Sequence, residues 1–96
     1  MTSKQRAHLR SMASVLQPIF QIGKGGINDA MINSISEALE KRELVKLTVL
    51  KTCEDEAKDV LQELAEALDA EPVTAIGNKI VLYRRSNNDK IEHIEF

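Results

Sequence analysis

The chain contains few aromatic residues: Phe20, Tyr83 and Phe96 are the only three among 96. Proteins that bind nucleobases by stacking need several exposed rings, so this composition disfavours a broad aromatic platform. The single cysteine, Cys53, excludes a disulfide within the chain and is too little for a thiolate metal site. One unpaired thiol is typical of a reducing compartment, and we therefore expect a cytoplasmic protein.

Long hydrophobic runs are also missing. The N-terminus lacks the apolar stretch of a signal peptide and no segment reaches membrane-spanning length, so we expect no membrane association. The apolar fraction of 43% is nevertheless ordinary for a globular protein. We predict a single domain over residues 1–85, followed by a polar and flexible tail over residues 86–96.

The charge is unevenly distributed along the chain. The net charge is only −2, but residues 1–28 contain no acidic residue. Their four basic residues are Lys4, Arg6, Arg10 and Lys24. The N-terminal part therefore carries a net positive charge and the rest a net negative charge, and we expect anionic partners at the N-terminal part.

Hydrophobic periodicity and turn residues predict an α/β (α+β) fold with the order α-β-α-β-α-β-β. Helices are predicted over 3–16, from an Asn28 cap to Arg42, and over 54–70 with a capping box of Thr52 and Asp55. Strands are predicted over 19–22, 44–50, 72–76 and 79–84, the last two joined by a turn at Gly77-Asn78. Strand–helix–strand units favour parallel pairing and the final hairpin adds one antiparallel strand, so the sheet is four-stranded and mixed.

The most distinctive motif is the glycine loop Gly23-Lys24-Gly25-Gly26, between a predicted strand and the helix capped by Asn28. The first N–H groups of a helix lack internal partners and its dipole favours an anion, so a phosphate could bind there. Glycines would let the phosphate approach the main chain, and Lys24 would add a positive charge. A tight turn that needs glycine for its backbone geometry alone is the competing interpretation.

Other phosphate-binding motifs fit this loop poorly. A dinucleotide fingerprint would have a third glycine where Asn28 stands, and a P-loop would have Ser or Thr after Lys24. The spacing of Gly23 and Gly26 matches the GxxG loop with which KH-type domains clamp nucleotide backbone.

Arg6 and Arg10 lie four residues apart on the first helix and would project together, where they could flank the glycine loop. A solvated helix face is the alternative. Around the last strand lies a second, looser basic set for which protection of the sheet edge is the favoured interpretation. It comprises Lys79, Arg84, Arg85 and Lys90.

No pattern indicates catalysis or a metal. His8 and His93 have no nucleophile or acid partner apparent in the sequence, and we expect both at the surface. The acidic face predicted for the third helix is typical of a solvated face. We therefore predict no catalytic residue, no metal ligand and no cofactor.

Three segments together resemble the CRM domain, the chloroplast RNA splicing and ribosome maturation module, in its stand-alone bacterial YhbY-like form. They are Gln17–Ile27, Glu43–Leu47, and Ile76-Gly77 with Val81–Arg84. The likeness covers about residues 3–85, and its specificity lies in the order and spacing of the three segments. The chain departs from the family pattern at Gln17 and Ser14, where a basic residue and a histidine are common.

The resemblance implies a fold related to the C-terminal domain of translation initiation factor three and to KH-like GxxG folds. It implies a non-enzymatic, RNA-binding protein, favoured as a monomer, that associates with ribosomal RNA or precursors of the large ribosomal subunit. The expected RNA-binding residues are Gly23, Lys24, Gly25, Gly26, Asn28, Arg6 and Arg10. Two alternatives remain: a protein-interaction module on ribosomes or other complexes without direct RNA contact, and, less favoured, an enzyme acting on a small phosphate compound.

Overall fold

The computed structural model describes residues 1–96 and contains three helices and four strands in the predicted order. The helices are α1 (Ser3–Ala13), α2 (Asp29–Arg42) and α3 (Ala57–Leu68). The strands are β1 (Phe20–Ile22), β2 (Leu44–Val49), β3 (Glu71–Ile76) and β4 (Lys79–Tyr83). None of the three helices combines the length and apolarity that crossing a membrane requires.

The four strands form one mixed sheet in the order β1-β2-β4-β3. β1 and β2 are parallel, and β4 runs antiparallel to both β2 and β3. The prediction of a four-stranded sheet with one antiparallel strand is confirmed. Because β4 lies between β2 and β3, the glycine loop, the turn after β2 and the β3–β4 turn all lie at one end of the sheet.

Both faces of the sheet are covered, but by different helices. On one face, α2 and α3 enclose the larger apolar core, centred on Leu47, Leu64 and Ile80. On the other face, α1 contributes Leu9 and Ala13 to a smaller cluster. β2 contributes Val45, Leu47 and Val49 to the larger cluster and Leu44 to the smaller one, so both of its faces are covered.

Helix α1 ends earlier than predicted, at Ala13 instead of residue 16. The chain must leave the helix to bring β1 beside β2, where the Ile19 N–H donates to the Lys46 carbonyl at 2.9 Å. The Ala13 carbonyl accepts from the Leu16 N–H at 3.0 Å and also from Lys46 Nζ at 3.2 Å. Lys46 Nζ lies 3.4 Å from the Leu16 carbonyl as well, and so connects the end of α1 to β2. Leu16 consequently lies outside the helix and is exposed.

Helix α3 begins at Ala57, and the predicted capping box of Thr52 and Asp55 is wrong. Glu56 occupies the N-cap position, and its side chain makes no capping hydrogen bond. The residues before it form a turn in which the Cys53 N–H donates to the Leu50 carbonyl at 3.0 Å. This turn places Thr52 against the glycine loop, so Thr52 has a packing role in place of the predicted cap.

Arg84 is a structural residue, which corrects its assignment to sheet-edge protection. Its Nη1 donates to the Leu68 carbonyl at 2.9 Å, at the end of α3. Its Nη2 donates to the Ser36 carbonyl at 3.0 Å and lies 3.3 Å from a carboxylate oxygen of Glu40, both in α2. One guanidinium therefore connects two helices to the end of β4.

The tail from Ser86 contains no helix or strand, yet specific groups attach it to the domain. The Glu43 carboxylate is fully buried and accepts hydrogen bonds from the N–H groups of Ser86 and Ile94, both at 2.7 Å. His93 Nδ1 lies 2.6 Å from the same carboxylate, and its side chain is only 18% exposed, so the expectation of a surface His93 is wrong. The flexibility of residues 86–96 stays a prediction.

Substituting Arg84 with Ala should lower the free energy of unfolding by about 2 kcal/mol, because charge-assisted hydrogen bonds to half-buried carbonyls are lost. The exposed neighbour Arg85 is a matched control, and Arg85→Ala should change stability by less than about 0.5 kcal/mol. Urea unfolding followed by circular dichroism measures both. Equal losses in the two variants would show that the contacts of Arg84 contribute nothing special.

The Glu43 carboxylate should make stability depend on pH. Burial raises the pKa of this carboxyl, but the hydrogen bonds from His93, Ser86 and Ile94 outweigh it and hold the pKa below its ordinary value of 4.5. A carboxyl whose pKa is lower in the folded state stabilises the fold above its unfolded-state pKa, and this contribution is lost as the pH falls through the folded-state value. Glu43→Gln should therefore lower stability by about 2 kcal/mol at pH 7.

The difference between Glu43→Gln and the native protein should shrink as the pH falls below about 4.5, which urea unfolding across a pH series measures. The exposed Glu37 lies on α2, the helix that Glu43 follows, and offers the control Glu37→Gln, for which we expect little change at any pH. A Glu43→Gln difference that stayed constant down to pH 3 would contradict a role for the ionised carboxylate.

Candidate nucleic-acid interface

The glycine loop forms a tight turn between β1 and α2. The Gly26 N–H donates to the Gly23 carbonyl at 2.9 Å, which closes the turn. Asn28 caps α2 as predicted: its Oδ1 accepts from the Met31 N–H at 2.8 Å. The loop thus leads directly into a helix whose N-terminus faces the same end of the sheet.

The three glycines of the loop have different structural reasons. A Cβ atom at Gly23 would lie 3.3 Å from Thr52 Oγ1 and 3.5 Å from Leu50 Cδ1, so this position is crowded. Gly26 has a φ of +64°, a conformation that favours glycine. Gly25 has neither property: its φ is not positive, and a Cβ there would meet no atom within 4 Å. The fold therefore explains Gly23 and Gly26 but gives no reason for Gly25.

The N-terminus of α2 offers free hydrogen-bond donors beside the loop. The N–H groups of Asp29 and Ala30 donate to no acceptor of the protein, as expected for the first turn of a helix. Lys24 is exposed and forms no ion pair or hydrogen bond. The Asp29 carboxylate stabilises the positive helix end and offsets part of the field that would attract an anion. Lys24 supplies the compensating positive charge.

The structure does not bring Arg6 to the loop. Arg6 Nε donates to the Pro72 carbonyl at 3.3 Å. Pro72 lies near the start of β3. The loop lies at the opposite end of the sheet, where β1, β2 and β3, which run in the same direction, finish. An RNA contact by Arg6 stays a prediction.

The structure brings Arg10 close to two lysines that are distant from it in the sequence. Together with Lys46 and Lys79, Arg10 lines a groove between the C-terminal end of α1 and the sheet. Lys46 has one recognisable sequence signal, because it is the only charged residue of β2, whose other residues are apolar except for Thr48. No sequence pattern predicted that these three cations would meet, since they belong to three different elements.

The acidic and basic surfaces are on opposite sides of the sheet. The acidic side chains of α3, among them Asp59, Glu63 and Glu66, are exposed on the helix that packs with α2. Arg10 belongs to α1, which covers the other face. An anionic ligand is therefore favoured on the α1 side and disfavoured on the α3 side.

No three His, Cys, Asp or Glu side chains are arranged so that they could hold a metal ion.

The fold and the loop define a class of protein, an α+β domain in which a GxxG turn opens a capped helix. A family model of the CRS1 / YhbY (CRM) domain matches residues 1–84, and the chain belongs to this family. The chain is 51% identical over 90 residues to a Bacillus subtilis protein named "Probable RNA-binding protein YqeI", with 94% of each chain covered. It is 28% identical over 92 residues to a Haemophilus influenzae protein named "RNA-binding protein", with 96% of this chain and 93% of that protein covered.

A solved structure has the same fold. The solution structure of the hypothetical protein SAV1595 from Staphylococcus aureus matches with a TM-score of 0.79 and 48% sequence identity. The match covers 98% of this chain and 99% of that one. The resemblance to the CRM family is therefore confirmed, as is the three-helix, four-strand α+β fold.

Gly25 and Gly26 should respond differently to substitution by alanine. Gly26→Ala should lower the free energy of unfolding by about 1 kcal/mol, because an L-residue is strained at positive φ. Gly25→Ala should change stability by less than about 0.5 kcal/mol, because a Cβ there meets nothing. Urea unfolding of both variants tests this difference, and a Gly25→Ala loss as large as that of Gly26→Ala would show that the fold needs both glycines.

Proposed function

We propose that this protein is a non-enzymatic RNA-binding factor that holds RNA backbone at the Gly23–Gly26 loop and acts on ribosomal RNA during assembly of the large ribosomal subunit. One observation carries the loop assignment: neither steric crowding nor backbone conformation requires glycine at position 25. A close ligand would explain it, because a phosphate needs an unobstructed main chain. The names of two relatives as RNA-binding proteins support RNA as this ligand.

In the proposed complex, a phosphate lies over Gly25 and accepts hydrogen bonds from the free N–H groups of Asp29 and Ala30. Lys24 contributes a charge contact from the side. These donors contact only the backbone and carry no information about the base, so the loop should bind different RNA sequences alike. The composition, with three aromatic residues, agrees with backbone binding.

We assign no reaction to the site. The loop and the helix end present main-chain donors, Lys24 and Asp29, but no nucleophile paired with a general base. His93, which does pair with a carboxylate, is bound to the buried Glu43 at the tail. Turnover of a nucleotide by the purified protein would contradict this part of the proposal.

The loop variants should weaken RNA binding. Gly25→Asp introduces a negative charge where the phosphate would lie, and we expect at least a tenfold loss of affinity, about 1.4 kcal/mol. Lys24→Ala should weaken binding alike for all RNA sequences and reduce the salt dependence by about one phosphate contact, a slope change of ~0.7 for single strands. Fluorescence anisotropy with labelled RNA at several salt concentrations measures both.

Lys58→Ala is the matched control for the charge loss, because Lys58 is exposed on the acidic α3. It should leave affinity and salt slope unchanged. If the combined variant Lys24→Ala, Gly25→Asp bound RNA as tightly as the native protein at low salt, the loop assignment would be wrong.

The ribosomal part of the proposal rests on the family resemblance. Crosslinking in cells followed by sequencing of the bound RNA should recover ribosomal RNA of the large subunit, and Gly25→Asp should reduce the yield. Association with large-subunit precursors that survives ribonuclease treatment and is unaffected by Gly25→Asp would favour the alternative, a protein-interaction module without direct RNA contact.

A further inference from the structure

A second surface on the α1 side of the sheet has the chemistry of a nucleotide site. We call it the α1–sheet groove, a depression of about 300 Å³. Its principal lining residues are Arg10, Lys46, Thr74, Ile76, Lys79 and Val81. They come from α1, β2, β3 and β4, so the groove exists only in the folded protein.

The groove combines an apolar floor with a cationic rim. Ile76 is a large apolar residue that is 64% exposed, and it lies across the sheet from Lys79. Arg10, Lys46 and Lys79 provide three positive charges, and no acidic residue lines the groove. A nucleotide has matching parts, since a base offers a flat apolar face and the phosphates on either side of it are anionic.

Lys46 also offsets part of a negative partial charge that would repel an anion from the groove. The C-terminal end of a helix carries a partial negative charge from its free carbonyls. Lys46 Nζ donates to the Ala13 carbonyl, at that end of α1, and to the Leu16 carbonyl just beyond it. The positive charge of Lys46 thereby offsets part of the negative partial charge at the helix end, and the charges of Arg10 and Lys79 remain for a ligand.

The sheet register connects the groove with the glycine loop. Gln21, two residues before Gly23, pairs with Thr48 of β2, and Thr48 pairs with Lys79 of β4. Lys79 is therefore two strand spacings from β1, about 10 Å. A single RNA strand that has one phosphate bound at the loop can extend over the exposed Gln21 and reach the groove.

We propose that the α1–sheet groove binds one unpaired nucleotide of the RNA strand whose backbone the glycine loop holds. The base lies against Ile76 and Val81, and Arg10 and Lys79 contact the phosphates on its two sides. This inference rests on the proposed RNA-binding function and adds a preference that the loop alone does not give. A duplex keeps its bases stacked inside the helix, so only a single strand can place a base in the groove.

The test uses a labelled oligouridine of about 12 nucleotides, within the ~4–16 nucleotide range of small single-strand-binding folds, and an RNA duplex of the same length. Ile76→Asp should weaken oligouridine binding at least tenfold. Ala75→Asp is the matched control, because it adds the same charge one residue away, at an exposed position that faces the other side of the sheet. It should change the affinity less than twofold.

A second pair of variants tests the cationic rim. Arg10→Gln with Lys79→Gln should reduce the salt slope by about 1.4, which corresponds to two phosphates of a single strand. Arg85→Gln with Lys90→Gln removes the same types of charge from exposed positions outside the groove and should leave the slope unchanged. In the native protein, an oligonucleotide containing 4-thiouridine should form a photocrosslink to the peptide that contains Ile76.

The outcomes separate this inference from the proposed function. If Gly25→Asp weakens binding but the groove variants behave like their controls, the groove assignment is overturned and the loop assignment remains. If the groove variants weaken binding and Gly25→Asp does not, the groove is supported and the loop assignment fails. Equal affinity for duplex and single strand, or crosslinks only outside the groove, would overturn the proposal that the groove binds an unpaired nucleotide. Absence of RNA binding by the native protein would overturn both proposals.

Discussion

The parallel pairing of β1 with β2 is the contact on which the candidate site depends. β1 has only three residues, and backbone hydrogen bonds outside the strand prolong the pairing, from Ile19 N–H to Lys46 and from Leu50 N–H to Ile22. The pairing directs the chain into the glycine loop beside the turn that follows β2. There Thr52 crowds Gly23, and the Asn28 cap of α2 follows two residues after the loop. A short strand thus determines where a helix N-terminus meets solvent.

The basic side chains of this protein fall into two groups, those that stabilise the fold and those that remain free for a ligand. Arg84 and Arg6 donate to backbone carbonyls and hold elements together. Lys24 and Arg10 make no hydrogen bond or ion pair within the protein and remain available to a ligand. Lys46 belongs to both groups, because it donates to a carbonyl at the end of α1 and also lines the groove. Total charge therefore says little about ligand binding here, and the partners of each side chain say more.

The separation of charge across the sheet suits a protein that binds an anion on one side. α3 presents its carboxylates on one face, while the free cations lie at the glycine loop and on the α1 side. An approaching polyanion is attracted by one side and repelled by the other, so it is oriented before contact. This arrangement is compatible with the small negative net charge, because only the local field matters at short range.

The sequence by itself determined the features that depend on neighbouring residues. The Asn28 cap, the order of helices and strands, and the turn at Gly77-Asn78 follow from patterns of a few neighbouring residues, and the structure confirms them. The resemblance added the family, because the motifs of three separate segments were recognisable together. Only the tertiary structure decided what depends on distant residues, and the physical reason is that side-chain partners follow from strand order. The position of β4 brings Lys79 beside Lys46, the path of α1 carries Arg10 to them and Arg6 to Pro72, and the packing around each glycine distinguishes Gly25 from Gly23.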